Sequence, residues 1–168
     1  MASTSSFDVT TGVDFMEAHN AVDQTTKEIT QRYDFKGVKT EIALNQKEKK
    51  ITLAAPDEFK LKAIWDVLQS KMVRRGVPLK NLKPGDVQPA SMGSARQEIA
   101  IQDGLTSDMA RDVVRVIKDA KLRKVQASIQ GDTVRVSSPS KDELQGVMGL
   151  LKQHDFGVEL KFGNYRSN

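Results

Sequence analysis

Residues 111–151 read RDVVRVIKDAKLRKVQASIQGDTVRVSSPSKDELQGVMGLL, and this stretch decides the fold. Val125, Ala127 and Ile129 alternate with Gln126, Ser128 and Gln130, the period of a half-buried strand. Gly131-Asp132 supplies a tight turn, and Val134 and Val136 continue the alternation on a returning strand. Ser140 and Glu143 fit a capping box, and Leu144, Val147, Met148 and Leu151 form one apolar helical stripe. Upstream, Thr106 opens a helix with Met109, Val113, Val116, Ile117 and Ala120 on its inner face. Helix, strand, turn, strand, helix is the resulting order.

The same order occurs earlier in the chain. Phe7 to Val9 reads as a short strand, and Asp14 caps a helix with Ala18, Val22, Thr25, Ile29 and Tyr33 on one face. Gly37 marks the exit. Val38, Thr40, Ile42 and Leu44 alternate, a polar turn spans 45–49, and Ile51 and Leu53 return. Pro56-Asp57 starts a second helix with Leu61, Ile64, Trp65, Leu68 and Met72 inside, closed by Gly76 and Pro78. Residues 79–94, rich in Pro, Gly and Ser, read as an edge strand and a connection. Ile99 and Ile101 lie on a strand, and a last strand is expected near Val158–Phe162, before the tail Gly163-Asn164-Tyr165-Arg166. The simplest packing is α+β: two ferredoxin-like domains, each a four-stranded antiparallel sheet with two helices on one face.

Composition bounds the function. The chain has 168 residues, no cysteine and a net charge of +4. Disulfides, thiolate metal sites and a cysteine nucleophile are therefore excluded. No apolar run approaches membrane-spanning length, and the first residues lack the basic and apolar regions of a secretory leader, so a cytoplasmic protein is expected. Residues 1–90 carry 14 Lys and Arg against 12 Asp and Glu, and residues 91–168 carry 12 against 10. This even, mild excess favours anionic partners without the charge density of a dedicated duplex binder.

Nine short blocks recur in a recognisable order: Ser6-Phe7-Asp8, Asn20-Ala21-Val22-Asp23, Arg32-Tyr33-Asp34-Phe35, Arg75-Gly76, Ala95-Arg96-Gln97, Ile129-Gln130-Gly131-Asp132, Arg135-Val136, Asp142-Glu143-Leu144-Gln145 and Phe162-Gly163-Asn164-Tyr165-Arg166. With them the chain resembles the YajQ family of bacterial nucleotide-binding proteins over nearly its whole length. Departures are Tyr33 and Tyr165 where Phe is usual, Glu143 where Asp is usual, and a few extra N-terminal residues. The resemblance implies that the two domains exchange their first strands. The first domain would be 11–103, with strand 96–101 supplied by the exchange. The second would be 104–168, joined by the N-terminal strand 1–10. It also implies non-catalytic binding of nucleotide or nucleic acid, some members resembling cyclic di-GMP receptors that act through a transcription regulator.

Candidate binding residues each carry two readings. Arg111, Arg115 and Lys118 fall at i, i+4 and i+7 and could contact phosphates, or form a solvated face neutralised by Asp108, Asp112 and Asp119. Arg74 and Arg75, beside Gly76, can fork onto phosphate oxygens or guanine edges, or merely complement a helix dipole. In Arg32-Tyr33-Asp34-Phe35-Lys36, Tyr33 is expected in the core, and Phe35 either stacks on a base or lids the core. Asp155-Phe156 and the tail through Arg166 form a comparable mixture, in which Phe156 either stacks on a base or lids the core. Arg96 is a further phosphate or guanine candidate. The expected open sheet faces (Lys39, Glu41, Ala43, Lys50, Thr52 and Ala54; Gln126, Ser128, Gln130, Thr133 and Arg135) hold no aromatic, which argues against stacking of the kind used by RNA-recognition motifs. His19 and His154 have no second ligand at metal spacing, and no Walker A loop, GxGxxG or nucleophile elbow is present. No enzyme activity, metal or cofactor is expected.

Two function classes follow. The first is a receptor for a guanine nucleotide or cyclic dinucleotide, bound at an inter-domain cleft or edge and read by a protein partner such as a transcription regulator. The second is an RNA-associated factor using a diffuse basic surface. A purely structural interaction module is a third option. No membrane partner is expected.

Overall fold

A computed structural model describes residues 4–167; residues 1–3, inside the expected 1–10 strand segment, and 168 lie outside them. The chain divides into two compact units: Val13–Gln102 forms one, and the segment up to Gly12 joins the residues from Asp103 onward in the other. The described residues form two antiparallel sheets and four long helices.

In the first unit, α1 (Phe15–Gln31) and α2 (Glu58–Arg74) accompany β2 (Glu41–Asn45), β3 (Lys50–Ala55), β4 (Leu82–Pro84), β5 (Gln88–Pro89) and β6 (Ala95–Ile101). The sheet order is β2-β3-β6-β4, with β5 also paired to β6. The sheet thus has five strands, one more than expected. The extra one is the two-residue pairing of Gln88 and Pro89 with Arg96 and Ala95, inside the stretch read as a connection. Ala18, Val22, Ile29, Leu61, Ile64, Leu68 and Met72 meet Ile51, Leu53 and Ile99 in one core.

In the second unit, β1 (Ser5–Thr10) lies between β8 (Thr133–Ser138) and β9 (Lys161–Ser167), and β7 (Gln126–Gln130) forms an edge, giving the order β7-β8-β1-β9. Helices α3 (Ser107–Asp119) and α4 (Lys141–Lys152) pack against it. Phe7, Val9, Val113, Ile117, Val134, Val136, Leu144, Val147 and Leu151 make its core. Phe7 meets Phe162 edge to face, with ring centroids 5.7 Å apart.

Local chemistry explains the element starts. Asp14 accepts hydrogen bonds from the Met16 and Glu17 amides, Asp57 from Lys60, Thr106 from Met109, and Ser140 from Glu143. Each satisfies an amide the helix cannot. The box at Ser140 is only half of the expected one, because the Ser140 amide donates to Ser138 Oγ at 3.1 Å rather than to Glu143. At the end of α2 the Val77 amide reaches back to the Met72 carbonyl with Gly76 at φ 75°, a left-handed stop. Gly131 takes φ 64° in the β7–β8 turn and Asp132 stays at negative φ, the pattern of a type II′ hairpin.

Four expectations are corrected. Tyr33 is 89% exposed, against the expectation of a core residue, while Phe35 is only 4% exposed, the core-lid alternative of its two readings. The helix stops at Gln31, and a 3-10 turn over Tyr33–Phe35 resets the phase, so the residue in register with the α1 stripe points out. The last strand is Lys161–Ser167, so the supposed tail is part of the sheet. Ala120 is exposed because α3 ends at Asp119, and Ile129 is 45% exposed on the edge strand.

Candidate functional site

Within each unit, the candidate residues sort by what surrounds them. In the first, Arg32 and Arg74 line a shallow recess of about 390 Å³ between α1 and α2, with Lys71, Glu28, Asp66 and Ser70. Lys71 pairs with Glu28 at 3.0 Å. Arg32 forks onto Asp34, Nε to Oδ1 at 3.1 Å and Nη2 to Oδ2 at 3.0 Å. That hydrogen bonding holds the Asp34 carboxyl below its ordinary value and raises Arg32. The recess can hold an anion but offers no ring for a base. Phe35 is in the core, its ring faced by the Arg32 guanidinium at 5.5 Å and the Lys60 ammonium at 5.1 Å, and stacking on a ligand is closed to it. Arg75 turns away from Arg74 and pairs with Glu17 at 3.5 Å. Arg96 faces Glu41 across the sheet at 3.8 Å, and Lys36 is exposed after the 3-10 turn.

In the second unit, three candidates come together. Arg115 on α3, and Asp155 and Phe156 just after α4, line one open recess of about 460 Å³ with Asp112, Val116, Gln153 and His154. The size is that of a small-ligand site. The Phe156 ring is partly buried against the core and tilts toward His154, centroids 6.0 Å apart. The Gly157 amide donates to Asp155 Oδ1 at 2.9 Å, and Gly157 at φ 81° turns the chain there. Arg115 Nη2 lies 2.8 Å from Asp112 Oδ1, which leaves guanidinium N–H groups directed elsewhere. An aromatic face, a guanidinium and a carboxylate thus sit within one concavity. Sequence reasoning weighs His154 only as a metal ligand; its adjacency to Asp155-Phe156 is the signal that points to this recess.

The rest of the basic row on α3 is divided. Arg111 pairs with Asp108 one turn back, and Lys118 lines a different recess near the α3 C-terminus.

A third group lies on the second sheet. Arg135 Nε donates to Asp8 Oδ1 at 3.0 Å, and Asn164 Nδ2 donates to Asp8 Oδ2 at 2.7 Å. Asn164 reaches Asp8 because β9 carries a bulge opposite Phe7, with Asn164 at φ 52°. The Arg135 hydrogen bond first, then Asn164 and the charges of Arg135 and Arg166, hold the Asp8 carboxyl below its ordinary value against the opposing effect of burial. Because the folded-state value is depressed, Asp8 contributes stability that is present above the unfolded value near ~4 and lost as pH falls through the folded one. In acid titrations followed by circular dichroism, Asp8→Asn should therefore cost stability at neutral pH and shrink the difference from wild type below about pH 4. An equal cost at pH 7 and at pH 2.5 would refute the assignment.

Among the described residues no group of three or more His, Asp or Glu side chains is placed to hold a metal ion, and no helix is long and apolar enough to cross a membrane.

Comparison with known proteins finds relatives over nearly the whole chain. A family model described as "Nucleotide-binding protein YajQ-like" matches residues 5–166. A nucleotide-binding protein of Koribacter versatilis is 50% identical, over 97% of this chain and 98% of its own. Nucleotide-binding proteins of Chloroherpeton thalassium and Carboxydothermus hydrogenoformans are each 48% identical, over 99% of this chain and 100% of theirs. On a match of this length, the chain belongs to the YajQ-like nucleotide-binding protein family.

Proposed function

We propose that this protein is a non-catalytic nucleotide receptor whose base-recognising site is the recess of Arg115, His154, Asp155 and Phe156. The observation that carries the reading is the meeting of an aromatic ring, a guanidinium and a carboxylate from α3 and the turn after α4. Guanine suits this set: its N1–H and 2-amino donors complement the Asp155 carboxylate, its ring has the Phe156 face to stack on, and Arg115 is placed for a phosphate. The ligand class is accordingly a guanine nucleotide, cyclic di-GMP included, bound in the cytoplasm and read by a protein partner in signalling or transcription control. The two units are read as ferredoxin-like repeats with exchanged first strands. Their strand orders support this, since β2-β3-β6-β4 and β7-β8-β1-β9 correspond position by position.

Calorimetric titration with cyclic di-GMP, GTP and a short single-stranded RNA, each at two salt concentrations, tests the reading. Saturable binding of a guanine nucleotide that persists at high salt is expected. Phe156→Ala should weaken it about tenfold or more, from the ~1–3 kcal/mol of one stacked base. Arg115→Ala should weaken it comparably, and Arg74→Ala, on the ring-free recess, should leave it unchanged. RNA binding alone, lost at high salt, would replace the receptor reading with an RNA-associated one using the diffuse basic surface. Loss of affinity in Arg74→Ala but not in Phe156→Ala would move the site.

A further inference from the structure

Sheet edges offer unpaired backbone groups, and most edges in this chain are guarded against pairing. β4 carries Lys83 and Pro84, β2 begins with Glu41, and β9 has Lys161, Arg166 and a bulge. β7, Gln-Ala-Ser-Ile-Gln, has no charge, no proline and an unbroken register with β8. We propose that the free edge of β7 pairs antiparallel with β7 of a second copy of this chain, centred on Ser128.

Three features converge on that occupant. The first is backbone phase. Gln130 and Thr133 close a two-residue hairpin and form a bonded pair, so Gln126, Ser128 and Gln130 bond to β8, and Ala127 and Ile129 direct their N–H and C=O outward. Centring on Ser128 sets Ala127 opposite Ile129 of the second copy, twice by symmetry, which matches outward groups with outward groups.

The second is shape. Ile129 faces the same side as its cross-strand neighbour Val134, yet it is 45% exposed. Beside Ala127 lies a recess of about 450 Å³ lined by Ile117, Leu122 and Val125 together with Lys118, Lys121 and Gln126. The second copy's Ile129, opposite small Ala127, would cover this recess. A centre one residue earlier or later would set Ala127 or Ile129 against itself and leave this fit unused.

The third is charge. Lys124 precedes β7 and Asp132 lies in the turn that follows it, so an antiparallel pairing brings the Lys124 end of one copy to the Asp132 end of the other, again twice, and both residues are exposed. Such an isologous contact is self-complementary, as a two-fold dimer requires. It is small, below the ~1,200 Å² of standard interfaces, so the association is concentration-dependent rather than obligate. The contact uses none of the nucleotide-recess residues and stands apart from that reading.

Sedimentation velocity of the full chain over a wide concentration range tests it. The mass should rise from one chain toward two with concentration. Ile129→Lys should raise the dissociation constant at least ~10-fold, as loss of a central apolar anchor does. Ala127→Pro should do the same, because it removes only an outward-facing donor. Lys124→Asp alone should weaken the dimer, and adding Asp132→Lys should restore it. Far-ultraviolet circular dichroism of each variant should match wild type; were the proline variant to misfold, Ile129→Lys and the charge exchange still decide. A single-chain mass at every concentration, or a dimer indifferent to Ile129→Lys and to charge reversal, would overturn the proposal.

Discussion

Phe7→Ala is expected to destabilise residues 103–167 by about 3–5 kcal/mol, the range for emptying a buried aromatic site, while the hydrogen-exchange protection of residues 13–102 stays close to wild type. Phe7 is fully buried at the centre of β1, between Val136 on β8 and the bulge of β9, with the Phe162 ring against its own. Every side chain it serves belongs to the second core, although it lies more than ninety residues upstream of most of them. Ile99→Ala is the mirror case. Ile99 is fully buried on β6, paired with Ile51, and its loss should cost the first unit about 2–5 kcal/mol. Protection should then fall in 13–102 and not in 103–167. Native-state hydrogen exchange reads both. Loss of protection around Leu53 and Leu68 in Phe7→Ala would contradict the pairing of β1 with β8 and β9.

The elements most legible in the sequence are those whose signal is local. Asp14, Asp57, Thr106 and Ser140 each sit where a capping side chain should, and each cap is made. The stripes of α2 and α4 face the core as their 3.6-residue period requires, with only Trp65 and Met148 partly buried. Less legible are elements made by partners far along the chain. KFGNYRS has little alternation, and it becomes a strand because β1 supplies its hydrogen bonds and a bulge at Asn164 absorbs the mismatch. The candidate site divides in the same way. The i, i+3 pairs of Arg111 with Asp108 and Arg115 with Asp112 could be read from spacing. The Asp8–Arg135 pair, 127 residues apart, could not, nor could the meeting of Arg115 with Phe156. Spacing along one helix carries no information about which loop of the fold it faces.

Tyr33 and Phe35 show how a change of helical phase decides which ring enters the core, and their alanine variants should separate sharply. Continued as a helix, α1 would carry Tyr33 inward on the stripe of Thr25 and Ile29. Instead Arg32 is extended (φ −73°, ψ 137°), and the 3-10 turn brings Phe35 back over the core. Phe35 is held there by apolar contact below and by the Arg32 and Lys60 cations across its ring. Lys60 also donates to the Asp34 carbonyl at 2.9 Å, tying α2 to this turn. Phe35→Ala should therefore lower the stability of the first unit by about 3–5 kcal/mol, and Tyr33→Ala should change it by no more than ~0.5 kcal/mol. Urea unfolding read by circular dichroism and by the fluorescence of Trp65, on α2 in the same unit, measures both. If the two variants shifted the midpoint equally, the turn would not anchor Phe35. If Phe35→Ala instead left stability intact and abolished nucleotide affinity, the ring would serve a ligand after all.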